Sequence, residues 1–174
     1  LRLAEVMDRL RSPGGCPWDA EQSHQSLLKY LLEESYEFVD SVDEEDRTAM
    51  REELGDILLQ VYFHSRIAQE HPTDPFDIEE VAKGITDKLI RRHPHVFGDQ
   101  EVNSSAELKE NWERLKAQEK GRKSATDGVA LSQPAVALIT KLIYRAEKAG
   151  IKLDIPETNN FESNPNVLKQ NSIE

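Results

Sequence analysis

The chain has 174 residues, 37% of them hydrophobic and 32% charged, a formal net charge of −11 and one cysteine. That length suits a single domain able to bury a core, and the acidic balance disfavours nucleic-acid polymers and anionic membranes as partners. One cysteine excludes an intramolecular disulfide, and no apolar run approaches the ~18–20 residues of a membrane span.

With no signal peptide evident, the cytoplasm is the expected compartment. The chain begins at Leu1 rather than Met, so its natural N-terminus is expected upstream. Residues 1–11 place Leu3, Val6, Met7 and Leu10 at helical spacing, and Ser12-Pro13-Gly14-Gly15 ends that helix. Cys16-Pro17-Trp18-Asp19 reads as a loop whose rigid proline and large tryptophan suit a pocket wall. Trp18 is a packing anchor first and a platform for a base second. Cys16 lacks the neighbours that activate a nucleophile. Ser23 suits a helix N-cap, and the lone His24 reads as a surface or hydrogen-bonded residue rather than a metal ligand.

Leu27 to Glu70 holds two helical segments with closely spaced acids, Glu33, Glu34 and Glu37 in the first and Glu52, Glu53 and Asp56 in the second. At about 100° per residue, Leu27, Leu28, Leu31, Leu32, Phe38, Val39 and Val42 form one apolar arc. Glu34 falls at its edge and Glu37 about 60° beyond. On the second helix Met50, Leu54, Ile57, Leu58 and Val61 form one apolar face, with Leu59 and Phe63 nearly opposite. Glu53, Asp56 and Gln60 occupy the slot between them. A helix apolar on two sides is buried on two sides, so these acids are not simply a solvated face. Crowded carboxylates need a compensating cation, and hard oxygen donors select Mg²⁺ or Mn²⁺.

Asp43-Glu44-Glu45-Asp46 is the turn between the two helices, and it lacks the glycine of a calcium-binding EF-hand loop. The second helix is expected from about Arg47 to Glu70, roughly 35 Å long at about 1.5 Å per residue. Asp74-Pro75-Phe76 is expected to cap and open the next helix, whose stripe is Ile78, Val81, Ala82, Ile85 and Leu89. Lys88, Arg91, Arg92, His93 and His95 close it as a basic cluster. The helix dipole accounts for such residues, while arginine and lysine there would also bind phosphate oxygens. Which of Arg91 and Arg92 would face a site stays open. Pro94 stops this helix, and a loop follows at Phe97-Gly98-Asp99. Ser104 and Glu107 form a capping box for a helix through Trp112 to about Lys120. Residues 121–133 read as a flexible linker, 134–150 as an amphipathic helix closed by Gly150, and 151–174 as a disordered tail.

Glu33-Glu34-Ser35-Tyr36-Glu37 followed by Glu53-Leu54-Gly55-Asp56 resembles the paired acidic signature of the MazG-type nucleoside triphosphate pyrophosphohydrolases. Gly15-Cys16-Pro17-Trp18-Asp19 and Arg91-Arg92-His93-Pro94-His95-Val96-Phe97 extend the resemblance, in order, over most of residues 1–120. It implies an all-α antiparallel bundle over 1–120, with core helices completed by dimerisation. It also implies Mg²⁺ held by Glu34, Glu37, Glu53 and Asp56, and Mg-dependent cleavage of a nucleoside triphosphate between its α and β phosphates. Glu37, Glu53 and Glu33 are the candidate catalytic residues, the proton acceptor lying between Glu33 and Glu37. Lys88 and Arg92 match positions implied to bind triphosphate, with Arg91, Trp112, Gln22 and Trp18 as further substrate-binding candidates. The implied role is house-cleaning of aberrant nucleotides. The acidic motif occurs once, so one site is expected.

Two rival readings are a carboxylate di-iron bundle and a non-enzymatic acidic interaction module. The first takes a Glu-x-x-His motif from each of two helices, and the chain offers Glu21 to His24 alone. The second predicts no effect of Mg²⁺ on stability and no nucleotide binding.

Overall fold

The computed structural model describes residues 2–100, 104–120, 124 and 126–152, and every regular element among them is helical. The chain divides into a unit of Leu1–Glu101 and a unit of Val102–Glu174. Of the expected linker, residues 121–123 and 125 lie outside the described residues. So does all of the expected tail except Ile151 and Lys152.

The first unit opens with α1 (Arg2–Arg11) and a short α2 (Pro17–Glu21), followed by the long α3 (His24–Asp43) and α4 (Arg47–Ala68). The loop expected at 16–19 is therefore a helical turn from Pro17 onward. Proline at its first position explains this, since that residue has no N–H to lose and its φ is already helical. Gly15 permits the tight approach of this turn to α1. A β-carbon there would lie 2.3 Å from the carbonyl oxygens of Arg9 and Leu10.

Ser23 caps α3 as expected, its hydroxyl accepting from the Ser26 N–H. α3 closes in a Schellman motif, with the Asp46 N–H donating to the Ser41 carbonyl and the Glu45 N–H to that of Val42. Glu45 takes the left-handed conformation at φ 57° that this motif usually gives to glycine. Asp46 then caps α4 by accepting from the Thr48 and Ala49 N–H groups.

α3 and α4 run antiparallel. His24 meets His64 near one end of the pair, and Glu34 lies with Glu53 nearer the other. The core of the unit is Met7, Leu27, Tyr62 and Phe63, with Leu3, Leu10, Tyr30, Leu59 and Ile67 packed against it. Leu59 and Phe63 thus face α1, as one of the two apolar faces of α4 should. The other face is uncovered within this chain: Leu54, Leu58 and Val61 are each at least 38% exposed. The arc expected to bury α3 behaves similarly, since Leu27 is buried while Leu28, Leu32, Val39 and Val42 are exposed.

α5 (Ile78–Arg92) begins later than expected. Asp77, not Asp74, is its N-cap, because Glu80 three residues on returns the bond to the Asp77 N–H. That reciprocal pair satisfies two orphan donors, which Asp74 followed by Pro75 does not. α6 (Pro94–Phe97) adds one helical turn where a stop was expected. In the second unit α7 (Ser105–Lys120) is capped by Ser104, whose hydroxyl accepts from the Glu107 N–H at 3.2 Å. α8 (Ala135–Lys148) is closed by Gly150 at φ 72°.

Candidate metal centre

Carboxylate oxygens of Glu34, Glu37 and Glu53 lie within 4.8 Å of one another. Glu34 and Glu37 are three residues apart on α3, the spacing that puts two side chains on one face, and Glu53 comes from the facing turn of α4. Glu34, Glu53 and Asp56 are half-buried, whereas Glu33 and Glu37 are exposed. Asp56 is outside the close trio, one helical step from Glu53. Its charge nevertheless acts on both Glu34 and Glu53.

These acids crowd one another, and the charges that bear on Glu34 and Glu53 are all acidic. Burial pushes the Glu34 carboxyl above its ordinary 4.5, and the charges of Asp56, Glu37, Glu53 and Glu33 push in the same direction. Burial also raises Glu53, with Glu37, Asp56 and Glu52 adding to it and a hydrogen bond with Glu34 opposing. Ion pairs among the described residues include Arg11 with Glu70, Arg66 with Asp8 and Glu70, and Lys83 with Asp87. None of them neutralises the cluster.

An all-oxygen donor set of three or four carboxylates fits Mg²⁺ or Mn²⁺. Oxygens about 2.1 Å from such an ion lie up to about 4.2 Å apart across it, close to the spacing observed. No histidine belongs to the cluster. Mg²⁺ is therefore expected to raise the unfolding midpoint at pH 7.5 by about 5 °C or more at saturating concentration. The sign with pH follows from the raised carboxyls. Protons occupy them in the folded state as pH falls through their raised values, so the stabilisation by Mg²⁺ shrinks there and is nearly gone below 4.5. Thermal scans with and without Mg²⁺ across pH 4.5–7.5 check this.

The remaining candidates are placed as follows. Lys88 and Arg92 lie four residues apart on one face of α5, both half-buried, and Arg91 is exposed. Trp18 is 49% exposed and meets Tyr30 edge-on at 6.0 Å. Tyr30 is one turn before Glu34 on the same face of α3. Gln22 spends both ends of its amide locally, donating to the Trp18 carbonyl at 2.9 Å and accepting from the Ser26 hydroxyl at 2.7 Å. Trp112 lies on α7 of the second unit, half-buried.

Two residues were missed by sequence reasoning. Arg11 looks like an ordinary basic helix end, yet its side chain is 4% exposed. It donates to the Asp19 and Gln22 carbonyls and to both carboxylate oxygens of Glu70. It therefore fastens the Pro17–Gln22 segment, with Trp18 on it, to α1 and α4. His64 is the other, and it is the partner of His24. No signal within the chain ties residues 59 or 40 positions apart, so neither contact has a sequence signature.

Residues 22–97 match the model of the MazG nucleotide pyrophosphohydrolase domain, which takes in both acidic motifs and the basic end of α5. This region is a MazG domain. Among curated proteins, the chain is 52% identical over 152 residues to an uncharacterized 26.1 kDa protein in the blaB 3'region of Streptomyces cacaoi, covering 87% of this chain and 62% of that one. It is 44% identical over 157 residues to the nucleoside triphosphate pyrophosphohydrolase/pyrophosphatase MazG of Thermotoga maritima, covering 89% of this chain and 59% of that one. The chain thus spans about three fifths of the length of both. Among solved structures, a mazG-related protein from Thermotoga maritima is similar with a TM-score of 0.55 and 29% identity, over 66% of this chain and 96% of that one. The helices described above and the structural neighbour agree on an all-α, MazG-related fold.

Proposed function

We propose that the MazG domain hydrolyses nucleoside triphosphates to a nucleoside monophosphate and pyrophosphate, with water attacking the α phosphorus in line. The observation that carries this is the convergence of the Glu34, Glu37 and Glu53 carboxylates from two helices, where the charges bearing on Glu34 and Glu53 are all acidic. Glu34, Glu37, Glu53 and Asp56 would hold Mg²⁺, or Mn²⁺ in its place. When bound, the cation supplies charge neutralisation for the triphosphate and acidifies the attacking water.

The chain's own groups do the rest. Glu37, exposed at the edge of the cluster, or Glu33 beside it accepts the proton of the attacking water. Glu53 shares the ligand and catalytic roles. Lys88 and Arg92, with Arg91 next to them, steady the leaving pyrophosphate. Trp18 offers a stacking face beside Tyr30, held in place through Gln22 and Arg11. Misincorporable or damaged nucleotides are the proposed substrates, in a house-cleaning role.

The exposed apolar side chains of α3 and α4 support a homodimer, in which a second copy covers Leu28, Leu32, Leu54 and Leu58. A monomeric mass in solution at micromolar concentration would contradict that part. No helix among the described residues is long and apolar enough to cross a membrane. The test of the activity is release of pyrophosphate from a panel of triphosphates with and without Mg²⁺. Release of monophosphate and pyrophosphate in equal amounts, dependent on the cation, supports it. Orthophosphate and diphosphate as products would overturn it.

A further inference from the structure

Ten residues before Glu34 and eleven after Glu53, at one end of the α3–α4 pair, two imidazoles face each other. The Nδ1 atoms of His24 and His64 are 2.8 Å apart, and the rings are parallel within 2° with centroids 5.1 Å apart. A contact of that length between two ring nitrogens requires one proton between them, one ring donating and the other accepting. A second proton on the facing nitrogens would set two N–H groups in direct opposition, one of them on a ring that then carries a positive charge.

His24 is exposed, whereas His64 is half-buried and is the ring on which a charge would be desolvated. Nε2 of His64 is buried without a partner, and so is Oε1 of Gln60, one turn earlier on the same face of α4. The charged groups on the elements that pack on α3 and α4 here include Arg2, Glu5, Asp8, Arg9 and Arg11 of α1, Asp19 and Glu21 of α2, Lys29 of α3, Arg66 on α4 with Glu70 just beyond it, and Asp77, Glu79 and Glu80 at the start of α5. Asp8, Arg11, Arg66 and Glu70 are paired among themselves. Asp77 and Glu80 are engaged in their capping box. His24 is the charge that bears on His64, and both it and burial oppose protonation there. Nor do the two rings make a metal site, because no third ligand joins them among the described residues.

We propose that His24 and His64 form a one-proton clasp between α3 and α4, which a second proton opens, so that the MazG domain loses stability as pH falls through the histidine range. The sign is fixed by linkage. In the unfolded chain both rings take up protons near 6.5, whereas the folded pair resists the second. The cost therefore appears below about pH 6.5 and is absent at pH 7.5 and above. Glu70, which Arg11 holds below the usual carboxylate value, acts only below 4.5 and does not enter this window. The acidic cluster is common to both proteins compared below, so its own titration cancels in the difference.

The experiment is histidine NMR titration of the whole chain, together with unfolding midpoints at pH 7.5 and 5.5, for the wild type and His24→Asn. Asparagine retains a donor for Nδ1 of His64 and carries no charge. In the wild type the second protonation of the pair is expected well below 6.5, and the midpoint at pH 5.5 is expected to fall by about 3–6 °C more than in His24→Asn. In the variant the His64 titration moves up. Two independent wild-type titrations near 6.5, or parallel loss of stability in both proteins, would overturn the clasp. The NMR titration needs only the wild type, so the proposal stays testable if the variant does not fold.

Discussion

Replacing Glu53 with glutamine is expected to lower Mg²⁺-dependent turnover by about 100-fold or more while leaving the helical content and the unfolding midpoint without Mg²⁺ unchanged or slightly raised. The loss follows because Glu53 is the α4 member of the close trio, and two acids on α3 alone leave the ion's α4 side to Asp56. The retained stability follows because the wild-type carboxylate is crowded rather than paired. Its neighbours Glu37, Asp56 and Glu52 all repel it, so an uncharged isostere removes a repulsion and breaks no ion pair. Steady-state pyrophosphate release and a thermal scan of the same preparation separate the two effects. Turnover within tenfold of wild type would end the assignment of Glu53.

Arg11→Met is expected to cost about 3 kcal/mol of stability. Methionine fills much of the same space but leaves the Asp19 and Gln22 carbonyls without the guanidinium donors that now reach them at 2.6 and 3.1 Å. Each such loss costs on the order of 1–3 kcal/mol when the site is closed to water. It also frees Glu70, which keeps Arg66 as a partner at 2.9 Å. Glu70 is itself about half exposed, so Glu70→Gln is expected to cost only about 1 kcal/mol or less. The pH dependence distinguishes them further. Arg11 and Arg66 hold the Glu70 carboxyl below 4.5, so its contribution is complete above that value and disappears as pH falls through the lower folded value. Denaturant unfolding at pH 7 and pH 3.5 for both variants checks the size and the sign. An Arg11→Met protein as stable as Glu70→Gln would show that the carbonyl contacts contribute nothing.

What could be read without coordinates was whatever lies within a turn or two of itself. The arrangement of Glu34, Glu37, Glu53 and Asp56 around their helices follows from a period of about 3.6 residues, and Ser23, Ser104 and Gly150 mark helix ends through bonds three or four residues long. The same local logic misplaced the start of α5. Asp74-Pro75 satisfies a common opening pattern, but the reciprocal Asp77–Glu80 pair is the one that forms. Contacts across the fold were out of reach. Nothing in residues 1–11 marks Arg11 as buried, because its burial depends on Glu70, Asp19 and Gln22 arriving from elsewhere. His24 read as solitary for the same reason, its partner lying forty residues on. Periodicity also places Leu28, Leu32 and Val39 on an apolar arc by angle, and among the described residues no element covers them.

The interplay of cluster, clasp and bolt along one helix pair has a simple physical logic. α3 and α4 carry a repulsive group of acids toward one end, and only packing, His24–His64 and the Arg11 network hold the other end together. A divalent ion bound by the cluster would turn that repulsion into attraction. Direct titration of Mn²⁺ into the chain at pH 7.5, followed by electron paramagnetic resonance, counts the ions bound without requiring a substrate. The four-acid site predicts saturable binding in the wild type, competed by Mg²⁺ and strongly weakened in both Glu34→Gln and Glu53→Gln. Equal Mn²⁺ binding by the wild type and both variants, or none that saturates, would contradict it.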